Sequence, residues 1–132
     1  MAFLIAGDTL VQAERKTIDL DAWLRSHPDE EVGIAVITLT ELWRTAERAP
    51  GPHRIKRLAF LQKLLEVFEV VPYSGNAAIE HARLSATLEA TGQRVNVFDL
   101  ILAATALESG ATILTLNTRR FSAIPGVSVA AP

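Results

Sequence analysis

The sequence predicts an α/β protein, a three-layer α/β/α sandwich with a mostly parallel sheet of about five strands. Short apolar runs alternate along the chain with segments that have helical spacing of apolar residues, the order typical of βαβ units. The central run Val32–Ile37 lacks polar alternation, as expected of a strand covered on both faces. A length of 132 residues with 49% hydrophobic side chains predicts one domain over residues 1–132.

The first quarter of the chain predicts one strand and two helical segments. Phe3–Ala6 is an apolar run that fits a buried strand. We expect Asp8 to cap a helix that runs to Arg15, because an aspartate oxygen can accept from the free amides of a first turn. Asp19–Arg25 has apolar residues at helical spacing and is followed by a polar loop.

The second quarter predicts a strand followed by two helices. Val32–Ile37 is the strand, and Thr38 with Glu41 three residues later has the spacing of a capping box that opens a helix. The proline-rich segment 49–52 ends that helix. Arg54–Phe68 carries apolar residues at helical spacing and predicts the next one.

The second half predicts three strands and two helices. Val70–Val71 forms a short strand, and Ala77–Ala90 forms a helix. The segment Asn96–Gly110 begins with a capping residue and ends with glycine, as helices do. Ala111–Leu114 and Val127–Val129 are the last two predicted strands.

Composition excludes several classes of protein. A charged fraction of 21% argues against disorder, and the absence of cysteine excludes disulfide scaffolds, cysteine zinc sites and cysteine nucleophiles. A net charge of −2 argues against bulk-charge nucleic-acid binding but allows a local basic patch. The longest near-apolar run, Leu100–Leu107, is far too short to span a membrane, and Met1–Gly7 lacks a basic signal-peptide region. We therefore expect a cytoplasmic protein with no membrane partner.

Polar side chains follow several of the predicted strands, at the edge where open parallel sheets bind ligands. Asp8 follows the first strand, and Glu41 lies one turn into the helix after the second. Thr115 and Asn117 follow the fourth strand, and Asp99 begins a helix whose entry loop can reach the same edge. The sequence therefore predicts three carboxylates and an amide on one rim.

Gathered carboxylates need a compensating charge or proton. Two unit charges 4 Å apart repel by about 4 kcal/mol at an effective dielectric constant near 20. A proton, a basic side chain or a cation relieves this repulsion, and all-oxygen ligands favour Mg²⁺ or Mn²⁺, the ions of metal-dependent nucleases. Taken one at a time, each acid is also explained as a first-turn residue that interacts with the helix dipole.

Four segments together resemble one known family. They are Asp8-Thr9, the run Thr38-Leu39-Thr40-Glu41-Leu42, Asp99 with Ala103-Ala104 four residues later, and the segment 115–121 followed by Ile124-Pro125-Gly126. In this order and separation they resemble PIN domains, specifically the VapC-type toxin ribonucleases of bacterial toxin–antitoxin pairs. The resemblance covers nearly the whole chain.

The resemblance implies a Mg²⁺- or Mn²⁺-dependent endoribonuclease that hydrolyses RNA phosphodiester bonds. Glu41 and Asp99 match metal-binding acids of the family, Asp8 is the candidate for the first acid, and Asn117 stands where a fourth polar catalytic group is found. The catalytic set is thus Asp8, Glu41, Asp99 and Asn117, and the metal ligands are the first three. The family also implies a cognate antitoxin protein and a homodimer as partners.

Two positions depart from the family pattern. An ungapped match places Ala6 where the first acid stands, and a two-residue slip restores Asp8. Arg120 stands where many relatives carry an acid before Phe121. These departures leave open an alternative, a catalytically degenerate PIN-fold module that binds RNA or a partner protein without cleavage.

Two basic residues are candidates for RNA binding. Arg44 and Arg48 follow Glu41 by three and seven residues and share its helix face, where they can hold RNA phosphates. Ordinary surface pairing with neighbouring acids is the alternative explanation.

Overall fold

A single parallel sheet lies at the centre of the computed structural model, which describes residues 1–132. Its strands are β1 (Phe3–Ile5), β2 (Val32–Ala35), β3 (Glu69–Val71), β4 (Thr112–Leu114) and β5 (Val129–Ala130). Their order across the sheet is β3-β2-β1-β4-β5, and every neighbouring pair is parallel. The predicted five-stranded parallel sheet is confirmed.

Seven helices cover the two faces of this sheet. They are α1 (Gly7–Glu14), α2 (Leu20–Arg25), α3 (Val36–Arg48), α4 (Gly51–Val67), α5 (Gly75–Ala90), α6 (Val97–Ser109) and α7 (Thr118–Ser122). The predicted three-layer architecture is therefore confirmed, although α7 was not predicted. None of the helices has both the length and the apolar character needed to cross a membrane.

The core is divided by the sheet because successive strand residues point to opposite faces. On one face, Leu4 packs in a cluster with buried side chains of α5 and α6. On the other face, its neighbour Ile5 packs with buried side chains of α1, α3 and α4. Both Leu4 and Ile5 are fully buried.

The predicted capping box at Thr38 and Glu41 is wrong. The strand β2 ends at Ala35, where its register with Val71 of β3 also ends, and the chain turns directly into α3. Ala35 is the N-cap residue and makes no side-chain cap hydrogen bond. Thr38 consequently lies inside the helix, buried, with no hydrogen-bond partner for its Oγ1 atom. The apolar run Val32–Ile37 had concealed this boundary because branched residues occur in both elements.

The predicted cap at Asp8 is also wrong, with a consequence for the site. The helix α1 begins at Gly7, its N-cap is Ala6, and Asp8 lies in the first turn. The carboxylate of Asp8 is therefore free to reach the end of β4. By contrast, Asn96 caps α6 as predicted, since its Oδ1 atom accepts a hydrogen bond of 2.8 Å from the Phe98 amide.

Candidate active site

One cavity at the carboxyl edge of the sheet holds the three predicted acids. It has a volume of about 240 Å³ and lies between the starts of α1 and α6 and one side of α3. Asp8 reaches it from the first turn of α1, Glu41 from the second turn of α3, and Asp99 from the first turn of α6. The remaining lining residues are Ala6, Gly7, Leu42, Thr45, Leu102, Arg120 and Phe121.

Two threonine hydroxyls orient Asp8. The hydroxyl of Thr115 donates a hydrogen bond of 2.7 Å to Asp8 Oδ2, and the hydroxyl of Thr9 lies 3.0 Å from Asp8 Oδ1. Both threonines are fully buried. The backbone amide of Asn117 in turn donates a hydrogen bond of 3.0 Å to Thr115 Oγ1. Because Thr115 accepts this bond through a lone pair, its own hydroxyl proton remains available for the Asp8 carboxylate. Asp8 is thus tied to the end of β4, whereas Ala6 is buried and carries no ligand atom.

The electrostatics of Glu41 reflect its neighbours. Burial raises the pKa of Glu41 above its ordinary value of 4.5, and the negative charge of Asp99 raises it further. The charges of Arg120 and Arg44 act in the opposite direction without cancelling the rise. Negative charge is therefore crowded in the cavity and only partly neutralised by side chains of the chain itself.

Asp99 is paired with an arginine. Arg120 of α7 donates from Nε to Asp99 Oδ2 and from Nη2 to Asp99 Oδ1, each over 2.7 Å. The Asp99 side chain is 8% exposed and that of Arg120 is 44% exposed. The hydrogen bonds to Asp99 raise the already high pKa of the Arg120 guanidinium, although partial burial lowers it. The pair therefore has the two-pronged geometry of a strong charge-assisted interaction.

The other predicted residues lie around the cavity and not in its lining. Asn117 is the N-cap of α7, and its Oδ1 atom accepts the Arg120 amide over 3.2 Å. The guanidinium carbon of Arg44 lies 5.2 Å from the ring centre of Phe98, the residue before Asp99. Arg48 ends α3 and is exposed.

The sequence places Thr115 at this edge of the sheet without indicating what it does, and it does not indicate the roles of Thr9 and Arg120. Thr115 directly follows an apolar strand at the correct edge, so its position was a usable signal. The pairing of Arg120 with Asp99 spans 21 residues and depends on α7, a five-residue helix without apolar periodicity. Only the capping residue Asn117 marks that helix in the sequence.

The donor chemistry of the cavity suits a hard divalent cation. Three carboxylates line it without any histidine or cysteine, and the negative charge of Asp99 adds to burial in raising the pKa of Glu41. In the present arrangement no three acidic, histidine or cysteine side chains lie close enough together to hold an ion. Arg120 contacts both oxygens of Asp99 in that arrangement. The ligand types therefore fit a metal, while one of the ligands is engaged by a side chain.

Comparison with known proteins decides the family, because the model of the PIN domain matches residues 2–127. The chain belongs to the PIN domain family. Within this family it is 30% identical to ribonuclease VapC1 of Rickettsia felis, over 98% of this chain and 95% of the relative. It is 34% identical to the tRNA(fMet)-specific endonuclease VapC of Salmonella typhimurium, over 73% of this chain and 71% of the relative.

The fold of this PIN domain also matches solved structures. The DNA-bound VapBC complex from Salmonella typhimurium superposes with a TM-score of 0.89 at 26% identity, covering 99% of this chain and 98% of that chain. The VapC ribonucleases are thus the branch of PIN domains to which the chain belongs, and the predicted nuclease class is confirmed. None of these similarities supports the alternative of a catalytically degenerate module.

Proposed function

We propose that this PIN domain is the toxin of a toxin–antitoxin pair, an endoribonuclease that requires Mg²⁺ or Mn²⁺ and uses Asp8, Glu41 and Asp99 as metal ligands. The observation that carries the proposal is the common cavity. Three elements distant in sequence direct carboxylates into it, at the sheet edge where this fold class binds ligands. Acids directed into one cavity repel one another unless positive charge offsets them, and Arg120 pairs directly with only one of the three.

The residues around the cavity have separable tasks in this proposal. A bound Mg²⁺ or Mn²⁺ supplies activation of the attacking water and stabilisation of the departing oxygen. Asp8 is held in place by the hydroxyls of Thr9 and Thr115. We assign Asn117 to orienting water or substrate through its NH₂ group, since its Oδ1 atom is engaged in capping α7.

The proposed partners follow from family membership. RNA is the substrate, and we assign Arg44 and Arg48 on α3 to its phosphates because they lie on the helix that carries Glu41. A cognate antitoxin is proposed because the similar solved structures are VapBC complexes. We also propose that the protein forms a homodimer. We propose a cytoplasmic location, because cellular RNA substrates are found there.

The test is cleavage of bulk tRNA by the wild-type protein and by Asp99→Asn, with Mn²⁺ or with EDTA. We expect cleavage only by the wild type with Mn²⁺, because the substitution removes the negative charge of one proposed ligand and replaces one of its two oxygens by an NH₂ group. Asp29→Asn is the matched control, because Asp29 is an exposed acid in the loop before β2. It should retain full activity.

Circular dichroism establishes that Asp99→Asn is folded before activities are compared. Full cleavage by the folded Asp99→Asn variant refutes the role of Asp99. Equal cleavage by the wild type in EDTA refutes the metal requirement.

A further inference from the structure

The ion pair in the cavity is made by a residue that has no place in the proposed chemistry. Arg120 covers both carboxylate oxygens of Asp99 with hydrogen bonds of 2.7 Å. The cavity that contains this pair also contains Asp8 and Glu41. A positive charge therefore already sits among the three acids where a divalent cation would be expected to sit.

We propose that Arg120 is the resident counter-cation of the site: its guanidinium holds Asp99 in the metal-free protein and has to leave before a divalent cation binds. This inference rests on the proposed function, because it takes Asp99 to be a metal ligand. It adds to that function a competitor for Asp99 that belongs to the same chain and lowers the affinity of the site for metal.

Competition follows from charge and geometry. The guanidinium occupies both oxygens of Asp99, and a metal ion held by Asp99 would need at least one of them. Both groups are positive, so the presence of either would disfavour the other. Arginine cannot lose its proton in a protein, so Arg120 cannot yield by becoming neutral. Hydrogen bonding to Asp99 raises its pKa still further. The side chain therefore has to move for Asp99 to become available.

The structure around Arg120 allows the side chain to move without its helix. The Arg120 amide is held by the Asn117 cap, and the next residue, Phe121, is buried in the core. Both interactions hold the backbone of α7 in place. The Arg120 side chain itself is 44% exposed, and a rotamer change toward solvent breaks only its bonds to Asp99 and its approach to the Phe121 ring. Asp99, 8% exposed, stays in the cavity.

The opposing interpretation is a purely structural ion pair. In that case the loss of Arg120 lowers the stability of the protein and leaves its affinity for metal unchanged. The two interpretations agree on stability and differ on metal affinity, so affinity has to be measured directly and without RNA.

The experiment is calorimetric titration of the purified full chain with Mn²⁺, comparing wild type, Arg120→Gln and Arg119→Gln. Arg120 withholds Asp99 from a metal ion through two charge-assisted hydrogen bonds of 2.7 Å, so we expect Arg120→Gln to lower the Kd for Mn²⁺ by about tenfold. Arg119→Gln is the matched control, with the same change of net charge at the adjacent exposed residue of α7. Its Kd should stay within about twofold of wild type, because Arg119 is exposed, makes no hydrogen bond to Asp99, and its charge is screened by salt.

A second variant protects the test against loss of fold. Arg120→Lys keeps the positive charge and loses the two-pronged geometry, so its Kd should lie between those of wild type and Arg120→Gln. An unchanged Kd in both Arg120 variants, or a decrease of equal size in Arg119→Gln, overturns the inference. Absence of Mn²⁺ binding in every variant overturns it as well.

The outcome for Arg120 is separable from the outcome for the proposed function. If the wild-type protein cleaves tRNA only with Mn²⁺ and the Kd of Arg120→Gln is unchanged, the proposed nuclease function stands and the competition by Arg120 is refuted. If the protein neither cleaves RNA nor binds Mn²⁺, both the proposed function and the competition by Arg120 are refuted.

Discussion

At the scale of single residues, the three acids of the cavity are held in three different ways. Asp8 accepts hydrogen bonds from the hydroxyls of Thr9 and Thr115, which are neutral groups. Asp99 faces the full positive charge of Arg120. Glu41 has neither kind of direct hydrogen-bond partner, and burial raises its pKa. Glu41 therefore lacks the direct partners that hold the other two acids, and its ionised form is disfavoured in the folded protein.

This difference predicts a pH-dependent gain in stability for Glu41→Gln in metal-free buffer. The pKa of Glu41 is higher in the folded protein than its ordinary value of 4.5, so the folded state binds its proton more tightly than the unfolded chain does. Ionised Glu41 consequently opposes folding at neutral pH, and this cost disappears as the pH falls below 4.5. We expect Glu41→Gln to raise Tm by a few degrees at pH 7 in EDTA and to lose that advantage near pH 4.

Thermal unfolding of Glu66→Gln in the same buffers is the control, because Glu66 is exposed on α4. The difference in Tm between Glu66→Gln and wild type should be the same at pH 7 and near pH 4. A Glu41→Gln variant that is less stable than wild type at neutral pH would contradict the assigned cause, since it would mean that the carboxylate is needed for folding.

At the scale of elements, the strand–helix order, the sheet and the three acids of the site were predictable, whereas the ion pair made by Arg120 was not. The alternation of apolar runs predicted β1 to β5 in a parallel sheet, and Asn96 predicted the start of α6. Asp8, Glu41 and Asp99 are recognisable in the sequence because they follow strands or open a helix at one edge. Patterns of this kind are local or follow from the fold class, and so a single sequence displays them.

The errors at this scale have tertiary causes. The start of α3 at Val36 is set by where β2 stops pairing with β3, which the branched run through Ile37 does not reveal. The hydroxyl of Thr38 faces no partner, so the capping-box spacing was coincidental. Arg120 reaches Asp99 only because α7 forms, and a helix of five residues leaves almost no periodic signal.

Gly33 in the middle of β2 gives a prediction about the edge of the sheet. A Cβ atom at this position would lie 2.9 Å from the carbonyl oxygen of Glu69 in β3 and 3.1 Å from Cε of Met1. The backbone of the edge strand would have to move, and we expect Gly33→Ala to lower the free energy of unfolding by about 1–3 kcal/mol. Urea denaturation measures this change directly.

Gly75→Ala is the matched substitution. Gly75 is the first residue of α5, and a Cβ atom there would meet nothing within 4 Å. Because alanine restricts the unfolded chain, this variant should gain about 0.4–1 kcal/mol. Equal effects of the two substitutions would show that loss of glycine flexibility, and not the contact with β3, decides the result at Gly33.

At the scale of the whole molecule, a net charge of −2 has to be reconciled with an RNA substrate. Phosphates are held by local positive charge, and two groups of basic residues are candidates. One is the face of α3 with Arg44 and Arg48. The other is a cleft between α1 and α4 lined by Arg15, Lys16, His53, Lys56 and Arg57, where Glu14 lies 3.7 Å from Arg57. The α3 face adjoins the carboxylate cavity, because Glu41 lies on the same helix.

RNA binding should therefore depend on salt through a few residues of α3 and not through the net charge. We expect the logarithm of the affinity for a labelled single-stranded RNA to fall linearly with the logarithm of KCl concentration, measured by fluorescence anisotropy in EDTA to prevent cleavage. Arg48→Ala should reduce the slope by about 0.7, the share of one phosphate contact on a single strand. Arg83→Ala removes the same charge from α5, where Arg83 pairs with Glu80, and should leave the slope unchanged.

An unchanged slope for Arg48→Ala together with a reduced slope for Lys56→Ala would place the RNA in the cleft between α1 and α4. The bound RNA would then run from the carboxylates along α1, because the first turn of α1 carries Asp8 and its last turn lines that cleft.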